Sequence, residues 1–392
     1  MDRSTKAPGS WVRSLSGAEA FVPAPLPPEL RWTDRLVRVL SEADRALGQL
    51  AGEGRRLPNP HLLLRPFIRR EAVLSSRIEG TQATLGELLA AEAGSSVERS
   101  PDDLREVANY VAALEYGLQR LETLPLSLRL LRELHARLME GVRGGNATPG
   151  EFRRIQNWIG PPGATLQDAA YVPPPPDEMK ACLGALEGFL QDRALPPLVQ
   201  IALAHYQFEA IHPFLDGNGR VGRLLVTIFL VERGVLPSPL LYLSAFFEAS
   251  RAEYYERLRA VSLRGEWGPW LEYFLRGVAR QAEDALERAS AINRILDEWR
   301  GAISGSASRT PGALVDLLAE NPYWTIRGAA RRLGIAYTTA QRAFERLVDL
   351  SALEEVSGAR RDRVYCAARI LDILDAPTRV SATASPGGRA SQ

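Results

Sequence analysis

Cysteine is nearly missing. Cys182 and Cys366 are the only two in 392 residues, and their separation suggests neither a disulfide framework nor a zinc site. No stretch approaches the ~20 consecutive apolar residues of a membrane span, so nothing here reads as a membrane partner. The first ten residues, MDRSTKAPGS, hold no apolar signal core. Together these absences read as a reduced, cytoplasmic protein. An excess of one charge is missing too. Lys and Arg number 48 against 47 Asp and Glu, a net charge of +1, so any site for nucleic acid has to be local. No internal repeat and no sustained heptad register is apparent, and there is no GxxxxGK[ST] loop of the Walker type. What is present is ordinary for a globular chain: 45% apolar and 24% charged residues. The length allows two or three domains at ~100–200 residues each.

Residues 1–30 are rich in Pro, Ser and Gly (FVPAPLPPEL) and read as a flexible N-terminal arm, extended or partly docked. Apolar residues at helical spacing (Leu36, Val37, Leu40, Ala43, Leu47, Leu50) predict a helix over 31–50. A second begins near His61 and ends at Gly80, a suitable C′ glycine. Helical patterning continues at 84–93, 102–122 and 126–142, resumes at Asp177, and returns at 250–262 and 267–298. Between lies NATPGEFRRIQNWIGPPGATLQDAAYVPPPP, which reads as a hairpin-like loop projecting from a helical body. GAISGSASRTPG, 301–312, has the composition of a linker. Three short helical segments and a strand–turn–strand then follow the order of a winged helix-turn-helix over 313–375, and 376–392 reads as disordered.

The most polar and flexible stretch is HPFLDGNGRVGR, from His212 to Arg223. It lies between two strongly apolar segments, PLVQIALAHYQFEAI and LLVTIFLVERG. A helix ending near Ile211 and another starting near Asn218 would place the N–H groups of Gly217, Asn218 and Gly219 at a helix N-terminus. There they lack intrahelical partners and face the positive end of the dipole, which makes an anion site. Arg220 and Arg223, at i and i+3, point to one side, and two guanidinium groups beside such a nest suit a polyphosphate. Asp216 offers the hard oxygen that a magnesium ion bridging phosphates requires. His212 can take a proton near neutral pH. The same residue types also suit a glycine-asparagine turn with a histidine cap.

HPFLDGNGRVGR resembles the Fic family signature HxFx(D/E)GNGRxxR at every specified position. SSRIEG (75–80) resembles the family's inhibitory motif (S/T)xxxE(G/N). PGEFRRIQNWIG with AYVPPPP resembles its flap, and LLYLSAFFEASRAEYYERL the segment after the active site. The resemblance covers about residues 30–300. It implies a mainly α fold, a Fic-type helical bundle with a short β-hairpin flap, here joined to a C-terminal winged helix. On it, 31–100 is the N-terminal helical region with the inhibitory helix, and 101–300 the catalytic core with its following helices.

The implied activity is protein adenylyl transfer (AMPylation): AMP moves from ATP to a Ser, Thr or Tyr hydroxyl of a target protein or of the chain itself. By the resemblance, His212 is the base and Asp216 holds Mg2+. Gly217, Asn218 and Gly219 cradle the phosphates, Arg220 contacts the β-phosphate, and Arg223 the γ-phosphate. Residues 154–172 align the target as an added strand. Tyr254 and Tyr255 match the tyrosine pair near the adenine, and Glu79 inhibits by pairing with Arg223. Gly217 stands where kinase-type Doc toxins have lysine, which favours AMP transfer over phosphorylation. The alternative is a DNA-binding regulator whose Fic core senses nucleotide or removes AMP. Its DNA contacts would be Arg327, Arg331, Arg332, Arg342 and Arg346, with Arg360, Arg361 and Arg363 in the wing, although neighbouring acidic residues offset much of that charge. The sequence leaves a homodimer open.

Overall fold

The computed structural model describes residues 8–14, 17–56, 60–95, 97, 100–142, 148–161, 163, 165–304, 308–358 and 362–378. The chain opens with a hairpin, β1 (Gly9–Arg13) and β2 (Glu19–Pro23), paired antiparallel with Trp11 opposite Phe21. Helices follow: α1 (Asp34–Arg56), α2 (Pro60–Ile78), α3 (Leu85–Glu92), α4 (Pro101–Arg120) and α5 (Leu128–Leu138). After an irregular stretch come α6 (Pro176–Gln191), α7 (Pro197–Ile211), α8 (Asn218–Glu232), α9 (Ser244–Ala249), α10 (Arg251–Arg264) and α11 (Trp267–Ile303). The C-terminal part runs α12 (Thr310–Glu320), β3 (Tyr323–Thr325), α13 (Ile326–Leu333), α14 (Tyr337–Asp349), β4 (Glu354–Glu355), β5 (Val364–Cys366) and α15 (Ala368–Asp375). Its three strands form one antiparallel sheet in the order β3-β5-β4.

Local chemistry accounts for several boundaries. Thr84 and Glu87 form a reciprocal capping box on α3, and Thr325 caps α13 through the Gly328 N–H at 3.0 Å. α7 and α8 are buried on nearly every face and sit in the core, where α11 packs against α7 and its Trp270 indole N–H donates to the Ala202 carbonyl at 2.9 Å. This central pair fixes the loop between them, because neither helix can shift without opening the core.

Three expectations are corrected. Residues 9–14 and 17–23 are not a flexible arm. Trp11, Val12, Phe21 and Val22 favour a paired hairpin, Phe21 is fully buried, and its N–H donates to the Val172 carbonyl at 2.9 Å. The hairpin therefore lies against the end of the flap. The flap itself is no regular ladder: it closes through the single bridge Ile159–Tyr171, with a 3-10 turn at Leu166–Asp168 between the legs. Its prolines and glycines remove the donors and alternation that a longer ladder needs. The 301–312 linker starts later than composition suggests, since buried Trp299 and Ile303 carry α11 on to Ile303. Residues 305–307 and the tail from 379 lie outside the described residues.

The C-terminal module packs on the helical body. Glu320 of α12 meets Arg65 of α2 at 3.4 Å, and the Asn321 amide donates to the Leu89 carbonyl of α3 at 3.4 Å.

Candidate functional site

His212 ends α7 in the left-handed region (φ 48°, ψ 62°), and Gly217 enters α8 in the same region (φ 77°). For the histidine this conformation costs about 1–2 kcal/mol, so the surroundings must hold it there. For Gly217 it is the ordinary use of a residue without a Cβ. Asn218 acts differently from its neighbours. Its side chain accepts from the Phe214 N–H at 2.8 Å and donates to the Phe214 carbonyl at 2.9 Å, so it staples the loop. Its backbone N–H, with that of Gly219, still lies in the first turn of α8, where no intrahelical acceptor exists.

Both arginines of the motif are buried. The Arg223 Nε donates to Ser75 Oγ at 2.7 Å, and Nη2 donates to the Ser75 carbonyl at 2.9 Å and to Glu79 Oε1 at 2.7 Å. Arg220 is under-bonded. Its Nε and Nη1 are buried with no hydrogen-bond partner, and Glu106 and Asp216 stand only at 3.6 and 3.7 Å. Unsatisfied buried donors cost about 1–3 kcal/mol each. A guanidinium held this way is arranged for an acceptor that arrives from outside.

Glu79 follows the end of α2 and lies over the start of α8. A Cβ at Gly219 would stand 2.2 Å from Glu79 Oε1, so only glycine lets the carboxylate approach. Burial disfavours the charge on Glu79, but Arg223, then Arg220 and His212, outweigh it and hold its carboxyl below the ordinary value. Glu71 and Ser75 precede Glu79 by two turns and one turn on the same face of α2. The buried Glu71 carboxylate accepts from Ser244 Oγ at 2.5 Å and Tyr110 OH at 3.1 Å, which fixes the rotation of α2.

Burial pushes the His212 imidazole down to about 4, with nearby Arg153 adding to the effect, so the ring is neutral at pH 7. Its Nδ1 faces the Glu209 carbonyl at 3.4 Å, an arrangement that places the ring proton on Nδ1 and leaves Nε2 as the acceptor. Asp216 is exposed at the mouth of the loop, and its Oδ1 accepts from the Gly217 N–H at 2.6 Å.

His212, Asp216, Gly217, Gly219, Arg220, Arg223 and Glu79 thus share one place. The two tyrosines sit apart in character. Tyr254 is buried, with its hydroxyl 2.8 Å from His205 Nε2, whereas Tyr255 is 44% exposed with its ring 5.3 Å from that of Tyr254. In the C-terminal module Arg327 pairs with Asp362 at 3.4 Å and Arg332 with Glu320 at 3.2 Å; Arg360 and Arg361 lie outside the described residues.

Sequence reasoning missed the residues that hold the loop. His135 stacks on Phe214 at 3.8 Å, and its Nδ1 accepts from the Gly150 N–H at 2.9 Å. The ring proton is therefore on Nε2, which donates to the Asp216 carbonyl at 3.0 Å. Burial pushes this histidine down to about 4, in keeping with a neutral ring. No spacing rule could link position 135 to 216; only the meeting of α5 with the loop does. His135→Ala is expected to cost about 2–4 kcal/mol in urea unfolding and to lower nucleotide affinity. Unchanged unfolding would remove this role.

The fold and site define a helical protein in which a loop between two buried helices carries a helix N-terminus and two buried arginines, with a carboxylate lying across it. Residues 37–119 match the Fic/DOC family N-terminal model, and residues 125–230 the Fic/DOC family model. Residues 37–230 of the chain thus carry both Fic/DOC domains, with only the short gap 120–124 between the two matches. Among curated relatives the chain is 31% identical over 205 residues to Protein adenylyltransferase Fic of Drosophila grimshawi, covering 50% of this chain and 38% of that protein. It is 30% identical over 222 residues to Protein adenylyltransferase fic-1 of Caenorhabditis briggsae, covering 54% and 39%. The aligned part is thus about two fifths of these relatives' length. Among solved structures, a Fic family protein from Desulfovibrio desulfuricans G20 superposes with a TM-score of 0.58 at 21% identity, covering 87% of this chain and 98% of the other. Fic-1 (aa134 - 508) from C. elegans gives 0.52 at 23%, covering 65% and 74%. At these identities the structures establish the shared fold. No helix among the described residues is long and apolar enough to cross a membrane.

Proposed function

We propose that this chain is a protein adenylyltransferase that moves AMP from ATP to a Ser, Thr or Tyr hydroxyl of a target protein, and that Glu79 inhibits it. The observation that carries the reading is the under-bonded, buried Arg220 beside the free N-terminus of α8, with a neutral His212 across the loop. The hydroxyl oxygen bonds to the α-phosphorus, the bond from that phosphorus to the bridging oxygen of the β-phosphate breaks, and pyrophosphate leaves. The hydroxyl proton goes to His212 Nε2. Arg220, Arg223 and the α8 N-terminus take the charge of the departing phosphates, which is where positioning and electrostatics contribute most in such transfers.

A single exposed carboxylate at the loop mouth suits a magnesium ion held mainly by phosphate oxygens and water, so Asp216 fits that role. Bound with ATP, the ion would supply neutralisation of phosphate charge. Asp216→Ala is expected to lower kcat about 100-fold at saturating ATP and magnesium, while metal-free nucleotide affinity in calorimetry stays within about threefold. Unchanged activity would leave Asp216 a loop cap.

The whole reading is tested by incubating Glu79→Gly protein with α-labelled ATP and magnesium, alone and in lysate. Label retained on protein, with the adduct located on a hydroxyl by mass spectrometry, supports it; nucleotide binding without any covalent label overturns it. The C-terminal module supports a docking role, since α14 exposes Tyr337, Thr338, Thr339, Arg342 and Arg346. Duplex binding that weakens steeply with salt would make DNA its partner.

A further inference from the structure

We propose that Arg153 is a positioning residue for the transfer: its guanidinium locks the His212 backbone and both legs of the flap into one unit, so that the base and the target-docking edge move together. This rests on the reading of His212 as the base.

Arg153 is 1% exposed, among the most deeply buried charged groups of the chain. Its Nε donates to the His212 carbonyl at 2.9 Å and its Nη2 to the Ile211 carbonyl at 3.4 Å, so it grips the last residues of α7 and the first of the loop. Nη1 donates to the Ile155 carbonyl at 3.2 Å on the outgoing leg of the flap, and Nη2 also donates to the Pro174 carbonyl on the returning leg. Its own backbone N–H donates to the Pro213 carbonyl at 2.9 Å. Among the described residues no carboxylate forms an ion pair with it. The charge is spent entirely on backbone carbonyls, an expensive arrangement unless their geometry matters.

What those carbonyls have in common is His212. The residue is held at φ 48°, a conformation that a non-glycine residue keeps only when its surroundings impose it. Gripping the carbonyl on each side of the His212 N–Cα–C unit fixes the direction of its Cβ, and with it the imidazole. The flap's outgoing leg is tied to the same loop a second time, by the Asn157 amide donating to the Phe214 carbonyl at 2.9 Å. Tyr171 on the returning leg donates to the Ala210 carbonyl at 2.8 Å. Only a planar fork with five donors reaches this set of acceptors; a lysine ammonium is a single point.

The test uses full-length Glu79→Gly protein as parent, with Arg153→Gln and Arg153→Lys added. A displacement of the base by ~1 Å predicts a fall in kcat of about 100-fold, with ATP affinity in calorimetry and KM for ATP within about threefold. Arg153→Lys should not recover more than about a tenth of the lost rate. A second readout needs no activity. The chain has four histidines, which makes selective labelling simple. The His212 ring resonances should move and broaden in Arg153→Gln, while those of His205, tied to Gly222 and Tyr254, stay in place. Full rescue by lysine, ATP affinity lost in step with kcat, or an unmoved His212 signal would each overturn the proposal. If the parent transfers no AMP, the adenylyltransferase reading fails, and the resonances alone decide the role of Arg153.

Discussion

His212→Ala is expected to abolish AMP transfer while ATP still binds. On the proposed reading the imidazole accepts the hydroxyl proton, and burial keeps it neutral and therefore ready to do so. The nucleotide, in contrast, is held on the same reading by groups the substitution leaves alone: the N-terminus of α8, Arg220 and Arg223. Loss of a positioned general base costs about 10²–10⁴-fold in rate, and affinity measured by calorimetry should stay within about threefold. The pH profile follows from the same cause. With its folded value near 4, the imidazole is neutral throughout the range from pH 6 to 8, so transfer by an uninhibited variant should be flat there and fall only towards pH 4 as the ring takes a proton. Near-normal labelling by the alanine variant would remove His212 from this role. A rate that drops tenfold between pH 8 and 6 would count against this expectation unless it follows Glu209 or Glu71, whose buried carboxyls are pushed up to about 7.

How far the sequence reached is visible in these residues. His212, Asp216, Gly217, Gly219, Arg220 and Arg223 lie within twelve positions, so one short loop announces them, whereas Glu79 enters only through the resemblance of SSRIEG to a family pattern, and the structure sets its carboxylate against Arg223. The helices were legible from their 3.6-residue periodicity because α1, α4 and α5 each hide one face. The N-terminal hairpin was not, since Phe21 and Trp11 are embedded in prolines and serines that speak for a loop more loudly than five-residue strands speak for pairing. His135, Arg153 and Glu71 were hidden for a different reason. Each acts through a backbone carbonyl or a partner on a distant element, and such contacts leave no spacing in the chain. Asn218 shows the converse. The sequence placed it at the loop, but only the structure shows its side chain turned back on Phe214.

Regulation yields the other large effect. Glu79→Gly should raise AMP transfer, including self-labelling, by tenfold or more over the wild type. Arg223 is the pivot: its Nη2 is already engaged by Glu79 Oε1 at 2.7 Å, and its Nε by Ser75. A γ-phosphate that needs the same guanidinium must displace the carboxylate, and Glu79 also stands over Gly219, where the phosphate chain would enter α8's first turn. A charge-assisted bond of this kind is worth about 1–3 kcal/mol, at the lower end because the Glu79 side chain keeps partial contact with water. Each ~1.4 kcal/mol shifts the productive population about tenfold, so the bond alone gives about fivefold, and clearing the carboxylate from the space over Gly219 carries the effect past tenfold. Removing the carboxylate leaves the arginine seated, because Ser75 still accepts twice from it through its hydroxyl and its carbonyl. Arg223→Ala therefore should not imitate the release, since it takes away the phosphate contact together with the inhibitory partner. The comparison is made by following α-labelled ATP into protein for the wild type, Glu79→Gly and Arg223→Ala across a range of ATP concentrations. Equal rates for wild type and Glu79→Gly would return Glu79 to the role of a surface partner for Arg223. Activation by Arg223→Ala would show that the arginine serves the closed state alone.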